Sequence, residues 1–256
     1  MTASQPKDVQ PRPLSGELCF EEGDFHALSS ACSKDPQFND RRLVTRRKLA
    51  ALGKRAVQAF ADDEVALESR TSLHNPTVFN HMRVKRIWAY VCRSKAEKKR
   101  LRSVLGAELA KDLDAAYRNA YLCLAVEEEA LEVSFRMRSE GWYDGQNLIN
   151  RIKHDGLDTW LGLLNDLPGF RLRLHDWKGE WLCGSLTRGR LEEFLSYYVP
   201  GEHSLTVEQR LPAPPPSRQM AFGPEVPEHM LSELHKLLAV YRYAAWSKES
   251  DFLFSR

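Results

Sequence analysis

Between residues 130 and 138, apolar and polar side chains alternate: Leu131, Val133, Phe135 and Met137 against Glu132, Ser134, Arg136 and Arg138. A two-residue period is that of a strand with one buried face. Paired with residues 117–126 across the acidic turn Glu127-Glu128-Glu129, it predicts an antiparallel hairpin whose second face meets solvent or a ligand. Elsewhere the period is helical. Leu43, Val44, Leu49, Leu52, Val57 and Phe60 predict a helix over residues 40–61, N-capped by Asp40 and weakened in the middle by Gly53. Leu101, Val104, Leu105, Leu109 and Leu113 predict another that begins after Ser94, where Ser94 and Glu97 fit a capping box.

The remaining elements follow from punctuation. A loop over residues 69–81 leads into a strand over 82–93. Residues 141–145 (GWYDG) form a turn into a helix that runs to Ile152, and a short helix covers 157–167 until Pro168-Gly169 stops it. Strands over 170–174 and 180–186 pair across a turn, Thr187 caps a helix to Tyr198, and residues 204–211 form one more strand. Residues 227–246 read as one long amphipathic helix. Single helices between hairpins, without a βαβ rhythm, predict an α+β fold: a mostly antiparallel sheet with helices packed on one face. The expected organisation is a disordered tail at 1–16, a single domain at 17–211, a Pro-rich linker at 212–226 whose prolines cannot join a ladder, and a C-terminal helix and tail at 227–256 packing on the domain.

Charge adds what the periodicity omits. The net charge is only +2, yet residues 41–55 hold seven Lys or Arg and no acid, and residues 83–102 hold nine with Glu97 alone. Taking these 16 bases and one acid from the totals of 37 and 35 leaves 21 bases against 34 acids, near −13. Such polarisation bears on partners rather than on fold. Cations on a strand edge also prevent aggregation, and helices keep charge on their wet side, so the clustering has a purely structural explanation too.

The five cysteines (Cys19, Cys32, Cys92, Cys123, Cys183) are odd in number and nowhere spaced C-x-x-C, which argues against a disulfide framework or a zinc site and for a reducing, cytoplasmic setting. No apolar run approaches the ~18 residues of a membrane span. G-x-x-x-x-G-K-[ST], G-x-G-x-x-G, G-x-S-x-G and H-E-x-x-H are all absent, so no cofactor and no metal is expected.

Candidate chemistry concentrates at residues 69–93. The loop offers Arg70, Thr71, His74 and Asn75, an inventory suited to a small anion, with Arg70 as clamp and His74 able to titrate near neutrality. The same residues would also make an ordinary turn around Asn75-Pro76. Beyond it, Arg83, Lys85, Arg86, Arg93, Lys95 and Lys98 surround Trp88 and Tyr90, a mixture that binds phosphates and stacks on bases. His175-Asp176-Trp177 is expected to be a turn, and Cys183 a buried thiol.

Phe20-x-x-x-Asp24-Phe25, then Arg47-Lys48-Leu49-x-x-Leu52-Gly53, Arg70-Thr71-x-x-x-Asn75-Pro76 and Trp88-Ala89-Tyr90 occur in an order that resembles the YktB-like bacterial family over roughly the first 100 residues. The chain departs from that family's pattern in Leu73 and His74 before Asn75, in a single Pro76, and in the long basic strand before Trp88. The resemblance implies an α+β fold and no established activity.

Three functions are compatible with these residues. The first is a polyanion-binding protein, with nucleic acid as partner and no membrane. The second is an enzyme acting on a small anionic substrate at the Arg70–Asn75 loop with His74 as acid–base. The third is an interaction module using the C-terminal helix or Pro212–Pro216.

Overall fold

In a computed structural model of the chain, which describes residues 18–62, 66–175, 177, 179–213, 222–223 and 225–254, the alternating hairpin lies at the centre of a seven-stranded sheet. β3 (Tyr121–Glu127) and β4 (Ala130–Met137) pair antiparallel, Leu124 opposite Val133. β2 (Arg86–Arg93) and the five-residue edge strand β1 (Leu67–Thr71) extend the sheet on one side. On the other side come β7 (Leu205–Pro212), β5 (Arg171–Leu174) and β6 (Trp181–Leu182), giving the order β1-β2-β3-β4-β7-β5-β6 with all pairings antiparallel. The fold class is α+β.

The apolar half of each alternation makes one continuous core. Ile87, Ala89, Val91, Leu122, Leu124, Leu131, Val133, Phe135, Leu172, Leu205 and Val207 are buried together. Helices α2 (Asn39–Asp62), α5 (Leu157–Asn165), α7 (Glu225–Lys236) and α8 (Leu238–Ala244) cover this face through Leu49, Leu52 and Phe60, Trp160 and Leu164, Met230 and Leu234, and Val240. Burying each large apolar side chain contributes about 1.5–3 kcal/mol. α4 (Trp142–Asp155) adds Leu148 and Ile152, and α6 (Arg188–Tyr197) adds Leu191 and Phe194.

α3 (Lys95–Leu109) is placed differently. Its cap is half of the expected capping box: Ser94 Oγ accepts from Glu97 N at 3.3 Å, without a reciprocal bond from the Glu97 side chain to Ser94 N. The helix sits over a corner of the opposite sheet face, where Lys98 Nζ donates to Glu68 Oε1 at 2.7 Å. A separate small core of Leu101, Leu105, Leu113, Tyr143 and Trp246 ties it down.

Several expectations are corrected. β1 lies largely inside the stretch assigned to a loop, because five residues are too few to display a period. The following strand starts at Arg86 rather than at 82. Residues 142–145 are the first turn of α4, and Gly145 is required there because a Cβ would collide with the Tyr198 hydroxyl. A short helix, α1 (Glu22–His26), was not foreseen. The C-terminal helix breaks at Leu237, and its apolar stripe packs into the core. Pro212 does enter a ladder, at the last position of β7 opposite Ala130, where its missing N–H is not needed. The tail at 1–16 and Pro214–Pro216 lie outside the described residues.

Candidate nucleic-acid interface

On β2 the residues that avoid the core are Arg86, Trp88, Tyr90 and Cys92, and the antiparallel register fixes what stands beside them. Arg70, Tyr90, Cys123, Ser134, Glu208 and Arg171 form one cross-strand row, and Trp88, Ala125, Glu132 and Arg210 another. Arg86 lies over the Trp88 ring, 5.5 Å from its centroid, and Tyr90 meets Tyr121 edge-on at 6.1 Å. Trp88 is pinned from both sides of its peptide: its N–H donates to Ser72 Oγ at 3.1 Å and its carbonyl accepts from Ser72 N at 2.9 Å. Trp88 and Tyr90 are both half-buried.

Further across the sheet this face is less wet than alternation predicts. Glu132 and Ser134 are fully buried, roofed by arginines from neighbouring strands. Glu132 pairs with Arg86 at 2.9 Å, Arg136 at 2.7 Å and Arg210 at 3.5 Å, and Glu208 with Arg173 at 2.7 Å. Burial alone would raise the Glu132 pKa. Arg86 and Arg136, with hydrogen bonds from Ser134 and Arg136, overcome that and hold the carboxyl below its ordinary range. Burial pushes the Cys123 thiol up to about 11, which rules it out as a nucleophile at neutral pH. The arginines here are compensated, and the network is an inner layer of the fold.

Uncompensated charge is found instead at the two ends of β2. Past its C-terminal end, Arg70, Lys95, Lys98, Lys99 and Arg102 with Asp114 line an open groove of about 710 Å³. Lys95 and Lys99 form no ion pair among the described residues, and Arg102 only a long one to Asp114 at 3.7 Å. Before its N-terminal end, Asn80, His81, Arg83 and Lys85 line a second groove of about 530 Å³, with Arg83 and Lys85 both exposed. Eight residues at about 3.3 Å each separate the two grooves by roughly 25 Å, and Arg86, Trp88 and Tyr90 lie between them.

The binding residues expected from sequence divide accordingly. Arg83, Lys85, Arg86, Trp88 and Lys95 lie along this line, as does Arg70, although Arg70 is paired with Glu68 at 3.0 Å. Arg93 does not belong to it. Arg93 is 2% exposed, and its guanidinium bonds the Asp144 carboxylate and the Trp246 carbonyl. Lys98 borders the groove with its charge buried and spent on Glu68. Thr71 faces the α2 side and accepts from Arg46 Nε at 2.8 Å, while the Asn75 carbonyl accepts from Asn80 Nδ2.

The catalytic pair comes apart as well. Arg70 shares the α3 side of the sheet with Tyr90, whereas His74 is surrounded by Arg46, Arg42 and Arg47 of α2. Burial, followed by those three charges, lowers its pKa. The two basic segments do not form one surface: residues 41–55 lie on α2, whereas Arg86 and Lys98 of 83–102 lie on the opposite side of the sheet. Much of the first is internal: Arg42 donates to the Cys32, Ser33 and Asp35 carbonyls, and Lys48 pairs with buried Asp24.

One cleft went unrecognised in the sequence. At the far end of the sheet, Arg138, Ser139, His175, Trp177, Tyr197 and His203 surround about 620 Å³, with Trp177 stacked on Tyr197 at 4.4 Å. Three separated segments build it, and no local spacing marks it. Asp176, expected beside His175, lies outside the described residues. Cys183 is buried, as expected.

No protein-family model matches the chain, and the search of curated proteins finds no match. No helix among the described residues is long and apolar enough to cross a membrane.

Proposed function

We propose that the protein binds single-stranded nucleic acid along β2, with bases on Trp88 and Tyr90 and phosphates on Arg83 and Lys85 at one end and Lys95, Lys99 and Arg102 at the other. The observation that supports this is the order along this stretch: exposed Arg83 and Lys85 just before β2, half-buried Trp88 and Tyr90 on one face of it, and exposed Lys95, Lys99 and Arg102 on α3 just after it. Base–aromatic stacking contributes about 1–3 kcal/mol per base and tolerates any sequence, because every base has a π-face. Extended phosphates are the anions that two basic grooves roughly 25 Å apart would hold at once. A duplex presents its bases edge-on inside a groove and would leave Trp88 and Tyr90 unused.

Fluorescence anisotropy with labelled single strands and duplexes, at low and moderate salt, tests this directly. Micromolar or tighter binding of single strands at low salt is expected, and Lys95→Glu with Lys99→Glu should weaken it more than tenfold. Both sites are exposed, so the fold should be unaffected. Absence of binding at low salt, or a preference for duplex, overturns the proposal.

A further inference from the structure

The turn between β1 and β2 holds apolar side chains in water. Val78 is 82% exposed and Phe79 92%, with Met82 at 54% and Leu73 at 47% beside them. Isolated exposed apolar residues are ordinary, but four on one turn mark a contact surface.

This turn is also rigidly built. Thr77 N donates to Asn80 Oδ1 at 2.7 Å, Asn80 Nδ2 to the Asn75 carbonyl at 2.9 Å, and Met82 N to the Thr77 carbonyl at 2.7 Å. Val84 N then anchors the exit by donating to the Ser33 carbonyl at 2.8 Å. His81 and Met82 both adopt left-handed backbone, φ 53 and 57, a conformation that costs energy for residues with a Cβ. These hydrogen bonds fix the turn that carries Val78 and Phe79.

What the tip contacts is indicated by what surrounds it. It is a single helical turn wide, too narrow to resemble half of a protein core. At its base Asn80, His81, Arg83 and Lys85 line a cleft, and β2 with Arg86 and Trp88 begins at the next residue. An apolar point with cations at its root matches a polyanion whose interior is apolar and layered, which describes stacked bases between phosphate strands. Proteins that enter such stacks do so with Phe, Leu, Ile or Met wedges.

We infer that the turn of residues 77–82 is a wedge, and that Phe79 inserts between bases where the single strand on β2 meets a duplex. The preferred ligand is then a single-strand/duplex junction. This rests on the β2 reading above. At a junction the terminal pair is the easiest to unstack, Arg83 and Lys85 hold the adjoining phosphates, and the freed strand continues over Trp88 and Tyr90.

The test uses the full chain and its Phe79→Ser variant, whose site is almost fully exposed, so its thermal unfolding should match the wild type. Three labelled ligands are titrated: a single strand, a blunt duplex, and a duplex with a single-stranded overhang carrying 2-aminopurine at the junction. The wild type should favour the overhang ligand over the plain single strand by roughly tenfold, the scale of one added stacking contact, and should raise 2-aminopurine fluorescence. Phe79→Ser should lose both effects and keep its single-strand affinity. If single strands bind but the variant matches the wild type on the junction, the wedge is wrong and the β2 reading stands. If the wild type binds no single strand, both fail. Phe79-dependent binding to phosphatidylserine vesicles, without a junction effect, would also overturn the wedge and assign the turn to lipid.

Discussion

Arg93 and Lys95 are two residues apart, both cationic, and opposite in fate. The Ser94 cap ends the strand and starts α3 between them, which turns Arg93 inward onto Asp144 and Lys95 out to water. The sequence does not record that turn, so from sequence alone Arg93, an ion-pair partner of the interior, reads as a ligand contact. Asp144 accepts from Arg93, from Ala120 N at 2.7 Å and from Trp246 N at 2.8 Å, so it joins β2, the residue just before β3 and the segment after α8. Removing one partner of such a pair strands a buried charge, and Asp144→Ala should cost about 3–5 kcal/mol of stability, read as a shift in denaturant midpoint. A loss below about 1 kcal/mol would mean that Arg93 finds another partner. Glu132 supplies a pH-dependent counterpart. Its folded pKa is below the ordinary 4.5, so its contribution is complete above that pH and fades as pH falls through the depressed folded value. Stability measured between pH 7 and pH 3 should therefore fall faster for wild type than for Glu132→Gln. The two curves should converge in acid, and parallel curves would contradict the assignment.

At the scale of elements, long periodic segments were readable and short or interrupted ones were not. β4 and α2 announce themselves through many repeats of their period. β1, with five residues, and α1, also with five, do not. Gly53 illustrates how context reverses a local rule. As a helix residue it is a weak point, worth about 1 kcal/mol against alanine. In place, a Cβ there would run into Ser69 Oγ and come within 3.4 Å of the Ala89 Cβ, so glycine is what lets α2 lie close on β1 and β2. Gly53→Ala should then destabilise the protein despite its helical gain, by roughly 1–3 kcal/mol as for other overpacked sites. Paired with Ser69→Ala, part of that loss should return, because the hydroxyl is the nearest obstacle. Chemical denaturation of the single and double variants would measure both, and a stabilised Gly53→Ala would show that the helix can simply lift away.

For the whole molecule, the charge asymmetry was legible from counting, but its usefulness for binding was not, because counting treats every cation alike. Of the sixteen in the two basic segments, Arg42, Lys48, Arg93 and Lys98 are buried, and Arg41, Arg55 and Arg86 are held by Glu21, Glu228 and Glu127. The line along β2 retains Arg83, Lys85, Lys95, Lys99 and Arg102 at its ends. The distinction can be measured, since each phosphate neutralised on a single strand contributes about −0.7 to the slope of log affinity against log salt. Five such contacts predict a slope of about −3.5, whereas engagement of all sixteen would give about −11. A titration series across salt concentrations should return the smaller value, and replacing Lys95 and Lys99 together should reduce its magnitude by about 1.4. A slope near −11 would require the buried cations to leave their carboxylates on binding. The fold would then have to open along the Glu68–Lys98 and Asp144–Arg93 contacts that now secure α3 and α4 to the sheet.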